Sequence, residues 1–112
     1  MENEIKLFDV ISSNNAETPT QGDLAYNEIL PIIRDFLVKE KRFYINFENI
    51  NNITTAFLNN SIGKLFFELD GKKLEELMAF RGFVNQSQVK TLRHSIANAI
   101  SLSRVNYKKV SN

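Results

Sequence analysis

The chain contains no cysteine, which excludes a disulfide framework and any thiolate-bound metal centre and suits a reducing cytoplasm. Its four glycines are well separated, so no glycine-rich loop is available to cradle a phosphate, and no HExxH, CxxC or EF-hand spacing occurs. The single histidine, His94, falls on the polar side of an amphipathic segment, where a lone imidazole is a surface group rather than half of a catalytic pair. Glu75 and Glu76 are adjacent and point in different directions from a helix or a strand, so the converging carboxylates of hydrolytic chemistry are missing. No apolar run approaches the length of a membrane span, and the opening MENEIKLFDV has no signal-peptide core. These absences set the expectations: not an enzyme, no cofactor, no metal, no membrane, a cytoplasmic location.

What is present is ordinary for a globular protein. The 112 residues, 43% hydrophobic and 24% charged, suffice for a single domain over 1–112 with a buried core. The net charge of +1 conceals an asymmetry. Residues 1–40 sum to −5, whereas from Lys90 onward there are five basic residues (Lys90, Arg93, Arg104, Lys108 and Lys109) and no acidic ones. Such an end complements a helix dipole, or draws the chain to nucleic acid with Phe66, Phe67, Phe80, Phe83 and Tyr107 as stacking platforms. The near-neutral total, and basic residues that do not interleave with the aromatics, weigh against nucleic acid.

Along the chain, Ile5–Ile11 (IKLFDVI) reads as a strand. Ser12–Gly22 is a polar connection that hides a short strand or an ordered loop. From Asp23 a helical period runs through Leu24, Ile29, Ile32, Ile33, Phe36 and Leu37. Pro31 either kinks that helix or sits in its first turn, with a start near Asn27. Phe43–Phe47 (FYINF) has the continuous apolar character of a strand buried on both faces. After the turn ENINN, Thr54 suits a helix N-cap, and Leu58, Ile62, Leu65, Phe66 and Leu69 form one helical face. Gly63 within that helix implies a close approach of helix backbone to sheet. Asp70–Lys73 is a break. Leu74–Leu77 fits a helical turn and Leu77–Phe83 a strand. From Ser87 an amphipathic helix places Val89, Leu92, Ile96, Ala99 and Ile100 on one side and Lys90, Arg93 and His94 off it. Residues 105–112 form a flexible tail. The alternation of strands and helices implies an α/β layer with a small sheet of three or four strands.

The functional residues are expected where a strand feeds a helix, over Asn49–Leu58, because loops at strand C-terminal ends are where ligands and partners bind in parallel α/β sheets. Thr54 and Thr55 stand there as a simple cap or as sites for a phosphoryl group, which adds roughly −1.5 to −2 charges to a surface. Phe57 is either an exposed apolar anchor for a partner or a residue packed beneath the sheet edge.

Tyr44–Leu65 (YINFENINNITTAFLNNSIGKL) resembles the core signature of the STAS-like family of small bacterial proteins. That signature is a strand ending in an aspartate–phenylalanine pair, a short turn, a Thr-Ser-Ser-Phe-like cap and a helix with a leucine-glycine-lysine-leucine step. Tyr44–Phe47, Ile53–Phe57 and Gly63–Leu65 carry the match, and Gly22 with the helix after it and Leu77–Leu102 fit the layout. The resemblance implies a STAS-like α/β fold, a sheet packed with helices. It also implies a non-enzymatic regulator related to anti-sigma-factor antagonists, which switch partners by binding an ATPase of the histidine-kinase ATP-fold type. The implied partner-binding residues are Asn52, Ile53, Thr54, Thr55, Ala56, Phe57 and Asn59. Two positions depart from the pattern. Asn46 replaces the strand-end aspartate, and Ala56 replaces the serine that is phosphorylated, leaving Thr55, about 100° away around a helix, as the alternative acceptor.

Overall fold

The computed structural model describes residues 3–111, with side chains described over 3–104. In chain order the elements are β1 (Glu4–Lys6), α1 (Leu7–Ile11), β2 (Asn15–Ala16), α2 (Pro19–Val38), β3 (Phe43–Asn46), β4 (Asn52–Ile53), α3 (Thr55–Asn60), α4 (Ile62–Glu68), α5 (Gly71–Leu77), β5 (Met78–Arg81) and α6 (Gln86–Ser111). Three strands form a parallel sheet in the order β1-β3-β5, and β2 pairs with β4 in a second, two-stranded parallel sheet. The fold is thus α/β, with the three-stranded version of the expected sheet.

The central strand, β3, sets the length of the main sheet. Its register pairs Lys6 and Arg81 with Asn46, and beyond Asn46 the backbone turns away. Leu7 therefore has no partner strand, and the segment expected to continue as strand to Ile11 coils into α1 instead, closed by Ser12 in the left-handed conformation at φ 53°. Side chains alternate across the strands. Ile5, Phe43, Ile45 and Phe47 point into the core and are buried. The opposite face carries Glu4, Lys6, Tyr44 and Arg81, all half-buried or exposed, so β3 is not apolar on both sides as its sequence suggests.

Asn46 is the buried member of that polar face, at 2% exposure. Its Oδ1 accepts from the Glu48 backbone N–H at 2.8 Å, and its Nδ2 donates to Glu4 at 3.0 Å and to Glu48 at 2.9 Å. Arg81 donates to the same Glu4 carboxylate through Nε at 2.9 Å and through its terminal nitrogen. It also lies over the Tyr44 ring, 4.2 Å from the centroid. The hydrogen bond from Arg81 holds the Glu4 carboxyl below its ordinary range. Gly82, at φ 85°, closes the cluster: a Cβ there would meet Asn46 Oδ1 at 2.2 Å. The missing strand-end aspartate is explained by this geometry. An amide can donate to two flanking carboxylates, which a third carboxylate cannot.

α2 begins at Pro19, four residues before the hydrophobic period announces it. Thr18 accepts from the Gln21 N–H and Gln21 returns a bond to Thr18, a capping box with Pro at the first helical position. Pro31 lies inside this helix. It and Asn27, whose carbonyl loses its intrahelical donor, are both exposed, so water can take up that carbonyl. The helix expected across Thr54–Leu69 is broken at Ser61, whose ψ is −90°. Ser61 is fully buried and its hydroxyl donates to the Phe57 carbonyl at 2.8 Å, while its N–H reaches back only to Leu58. Gly63 makes its close approach to the Leu58 carbonyl and Ala99, not to the sheet: a Cβ would lie 3.2 Å from that oxygen. Asp70 caps α5 by accepting from Lys72 and Lys73, so the DGKK break is a helix start and the strand after it is confined to Met78–Arg81. α6 is drawn through Ser111, across the segment expected to be a flexible tail. The side chains from 105 onward, Tyr107, Lys108 and Lys109 included, lie outside the described ones.

Two substitutions test this packing. Asn46→Asp places a carboxylate against Glu4 and Glu48 and removes two donors. It should lower unfolding free energy near neutral pH by about 2 kcal/mol or more. Repulsion raises the new group's folded pKa above its unfolded value of about 3.9, so the deficit against the parent should narrow as pH falls towards about 4, as urea titrations at several pH values will read. Gly22→Ala gains about 1 kcal/mol in helix propensity. Its Cβ, however, would sit 2.6 Å from the Phe57 carbonyl oxygen and 2.8 Å from Asn60 Cβ. A net loss is expected, within the roughly 1–3 kcal/mol typical of overpacking.

Candidate functional site

The corner between β4 and α3 is built by contacts from three other parts of the chain. β2 supplies the first. Asn15 and Ala16 pair with Asn52 and Ile53, and the Thr54 N–H donates to the Ala16 carbonyl at 3.1 Å. The second is Gln88 in the first turn of α6, a buried side chain whose Nε2 donates to the carbonyls of Ile50 at 2.9 Å and Asn51 at 3.0 Å. Those carbonyls sit in the turn that leads into β4, where no ladder partner is available to them, and an unmatched buried carbonyl is costly. The third is Ser95, whose hydroxyl donates to Asn59 Oδ1 at 2.6 Å and ties α3 to α6.

α2 fixes the other side of α3. Gly22 lets the two backbones approach closely. Asp23 accepts from Lys64 at 2.7 Å and from Asn60 at 3.3 Å, and the Lys64 hydrogen bond holds the Asp23 carboxyl below its ordinary range. Lys64 also lies 5.2 Å from the Tyr26 ring centroid. Burial raises the Tyr26 phenol, so it remains the neutral partner of that cation.

The two threonines have different tasks. Thr54 is the N-cap: its hydroxyl accepts from the Phe57 N–H at 3.1 Å and donates to the Glu17 carbonyl at 2.6 Å. Both the lone pair and the proton are therefore committed. Thr55, the first residue of α3, is exposed, and its hydroxyl has no hydrogen-bond partner among the described residues. Ala56 is half-buried and Phe57 is fully buried. Of the two alternatives for Phe57, the structure therefore takes the packed one: it anchors α3 in the core and offers no surface to a partner. Thr55 and Asn59, at i and i+4, share one exposed face of α3, next to exposed Asn52 and half-buried Ile53.

Sequence reasoning missed Gln88 and the β2 contacts. Gln88 had a signal: Asn85-x-x-Gln88 has capping-box spacing. Its backbone N–H donates to Asn85 Oδ1 at 3.0 Å, and its own Oε1 accepts from the Val84 N–H. The pairing of Asn15–Ala16 had none, since two residues carry no periodicity.

Among the described residues no cluster of three or more His, Asp or Glu side chains could hold a metal ion, and no helix is long and apolar enough to cross a membrane. Of the aromatics considered for stacking, Phe66 is buried and Phe67 exposed, while Phe83 stacks on Phe47 at 4.7 Å.

The division of labour between the threonines has a measurable consequence. Thr54→Ala should cost about 1–2 kcal/mol through loss of the cap. Thr55→Ala should change stability by less than about 0.5 kcal/mol. Equal losses in thermal or urea unfolding would show that the two hydroxyls are not used as described.

Neither a curated protein nor a solved structure matches the chain significantly. A family model described as a STAS-like domain of unknown function (DUF4325) matches residues 22–88, from the Gly22 approach through β3 and the corner to Gln88. That stretch is more than half of the chain, and the protein belongs to this STAS-like family.

Proposed function

We propose that the protein is a non-enzymatic, protein-binding regulator whose β4–α3 corner docks on a kinase-like ATPase of the histidine-kinase ATP-fold type. The observation that supports this reading is the pair of threonines. The Thr55 hydroxyl is exposed and has no partner among the described residues at the start of α3, while Thr54 is consumed by the cap. The exposed surface of Asn52, Thr55 and Asn59, with Ile53 and Ala56 beside it, is held by buried contacts beneath. A surface that is already ordered loses little entropy on docking. Ala56 has no hydroxyl, so control by phosphate, where it operates, passes to Thr55. A phosphoryl group there adds roughly −1.5 to −2 charges to a neutral surface and disfavours docking.

A second reading rests on the exposed cations of α6. Lys90, Arg93 and Arg104 have no carboxylate partner among the described residues. They suit a nucleic-acid backbone, and such binding has its own signature, an affinity that falls steeply with salt.

Affinity purification of the tagged protein from its native cells, followed by mass spectrometry, tests the leading reading. An ATPase of the stated type should accompany the parent and fall at least tenfold with Thr55→Glu. An acidic residue in the first turn suits a helix N-terminus, so that variant keeps its fold. The exposed remote variant Lys72→Glu should retain the ATPase. Absence of such an ATPase from the parent, with nucleic acid recovered in its place, would move the assignment to α6.

A further inference from the structure

Among the described residues β5 is an edge strand, paired with β3 alone. The Phe47 N–H donates to the Arg81 carbonyl at 2.8 Å, so Arg81 faces inward along the ladder, and the alternation of a strand turns the N–H and C=O of Phe80 outward. Among the described residues nothing pairs with these two groups. Edges of this kind are normally shortened, charged or covered, because they template the addition of another strand.

Alongside the edge lies an apolar groove of about 410 Å³. Phe80 and Phe83 form one wall, and Leu92, Ile96 and Ile100 of α6 form the other. α6 packs chiefly on α3 and α4, which leaves the space beside β5 open. The volume lies within the roughly 300–1,000 Å³ of ligand sites. One charged side chain, Arg93, lines the groove. It is exposed and has no ion-pair partner among the described residues, and no acidic residue occurs in α6 from Gln86 to Ser111.

We propose that this groove binds an extended peptide segment of a partner protein, apolar at alternate positions and carrying a carboxylate, which adds to the sheet beside β5. An open strand edge next to an apolar, helix-walled groove is the arrangement used for recognition by strand addition: backbone bonds supply affinity, and alternate side chains entering the groove supply selectivity. The carboxylate, from an acidic side chain or a chain terminus, meets Arg93. A second copy of this chain is the poorer occupant, since a symmetric contact brings Lys90, Arg93 and Arg104 against their own copies. An acyl carboxylate would satisfy Arg93 and the groove but leave the outward groups of Phe80 unmatched. The proposal is independent of docking at Thr55, which involves another surface.

The probe is a displayed library of random hexapeptides with free C-termini, panned on the full chain. The best sequence is then synthesised and titrated into isotopically labelled protein. Enriched sequences should alternate apolar residues and carry an acidic group or need the free terminus. Binding should perturb the Phe80 amide, slow its hydrogen exchange at least tenfold, and shift the Val89–Ile100 segment. Arg93→Glu and Ala97→Glu, both at exposed groove positions, should weaken binding tenfold or more with unchanged unfolding midpoints. Thr55→Glu should leave it intact. No enrichment over the Arg93→Glu protein, or binding that leaves Phe80 untouched, would overturn the proposal. So would a dimer in sedimentation that Ala97→Glu dissociates, or uptake of decanoate with no peptide bound.

Discussion

The architecture depends on one buried amide. Asn46 ends the central strand with its polar atoms out of water, where each must find a partner, and the partners it finds are Glu4 of β1 and Glu48 of the turn that follows β3. Glu4 from β1, Glu48 from its own turn, and Gly82 following β5 meet at this point. Satisfying that amide fixes where β3 stops, and hence where β1 gives way to α1 and where β5 gives way to the approach to α6. It also aims the chain into the turn that produces β4 and the α3 corner. Arg81 completes the arrangement by neutralising Glu4, so that two carboxylates can flank one amide with a cation beside them.

The corner inherits its order from groups that never reach its surface. Gln88 satisfies two turn carbonyls, Phe57 fills the core beneath, Ser61 breaks the helix so that α3 and α4 diverge, and Gly22 admits the backbone of α2. What remains outside is small and neutral, dominated by Thr55 and asparagines. A neutral surface of this kind is sensitive to an added charge, which is the physical basis for reading Thr55 as a point of control. α6 connects this corner to the other open feature of the molecule. Its first turn holds the β4 turn, its Ser95 holds Asn59, and its Leu92, Ile96 and Ile100 wall the groove beside β5.

Much of this was legible in the residues, and the parts that were not share a cause. The α/β class, the strand at Phe43–Asn46, the Thr54 cap and the apolar side of α6 all follow from local pattern: alternation, a capping residue, a helical period. The early start of α2 and the role of Gln88 were also encoded locally, in Thr18-Pro19-x-Gln21 and Asn85-x-x-Gln88, where capping chemistry outranks hydrophobic period. The burial of Phe57 was open because a phenylalanine in a first helical turn can face either way until the neighbouring helices are placed.

The sequence by itself determined the types of the longer elements, the strand at β3 and the helices α2 and α6, and the family signature over Tyr44–Leu65, since these rest on interactions between residues a few positions apart. Only the tertiary structure decided where the strand of Ile5–Ile11 would end, that the helix after Thr54 would break at Ser61, and that Asn46 would serve two carboxylates. It also decided which threonine hydroxyl would be consumed and which left open, and that β5 would be an edge with a groove beside it. The strand end and the fate of the threonine hydroxyls are settled by partners tens of residues away in the chain: Asn46 for Lys6 and Glu17 for Thr54. A hydrogen bond or a steric contact has no trace in local sequence when its two halves are brought together only by the fold.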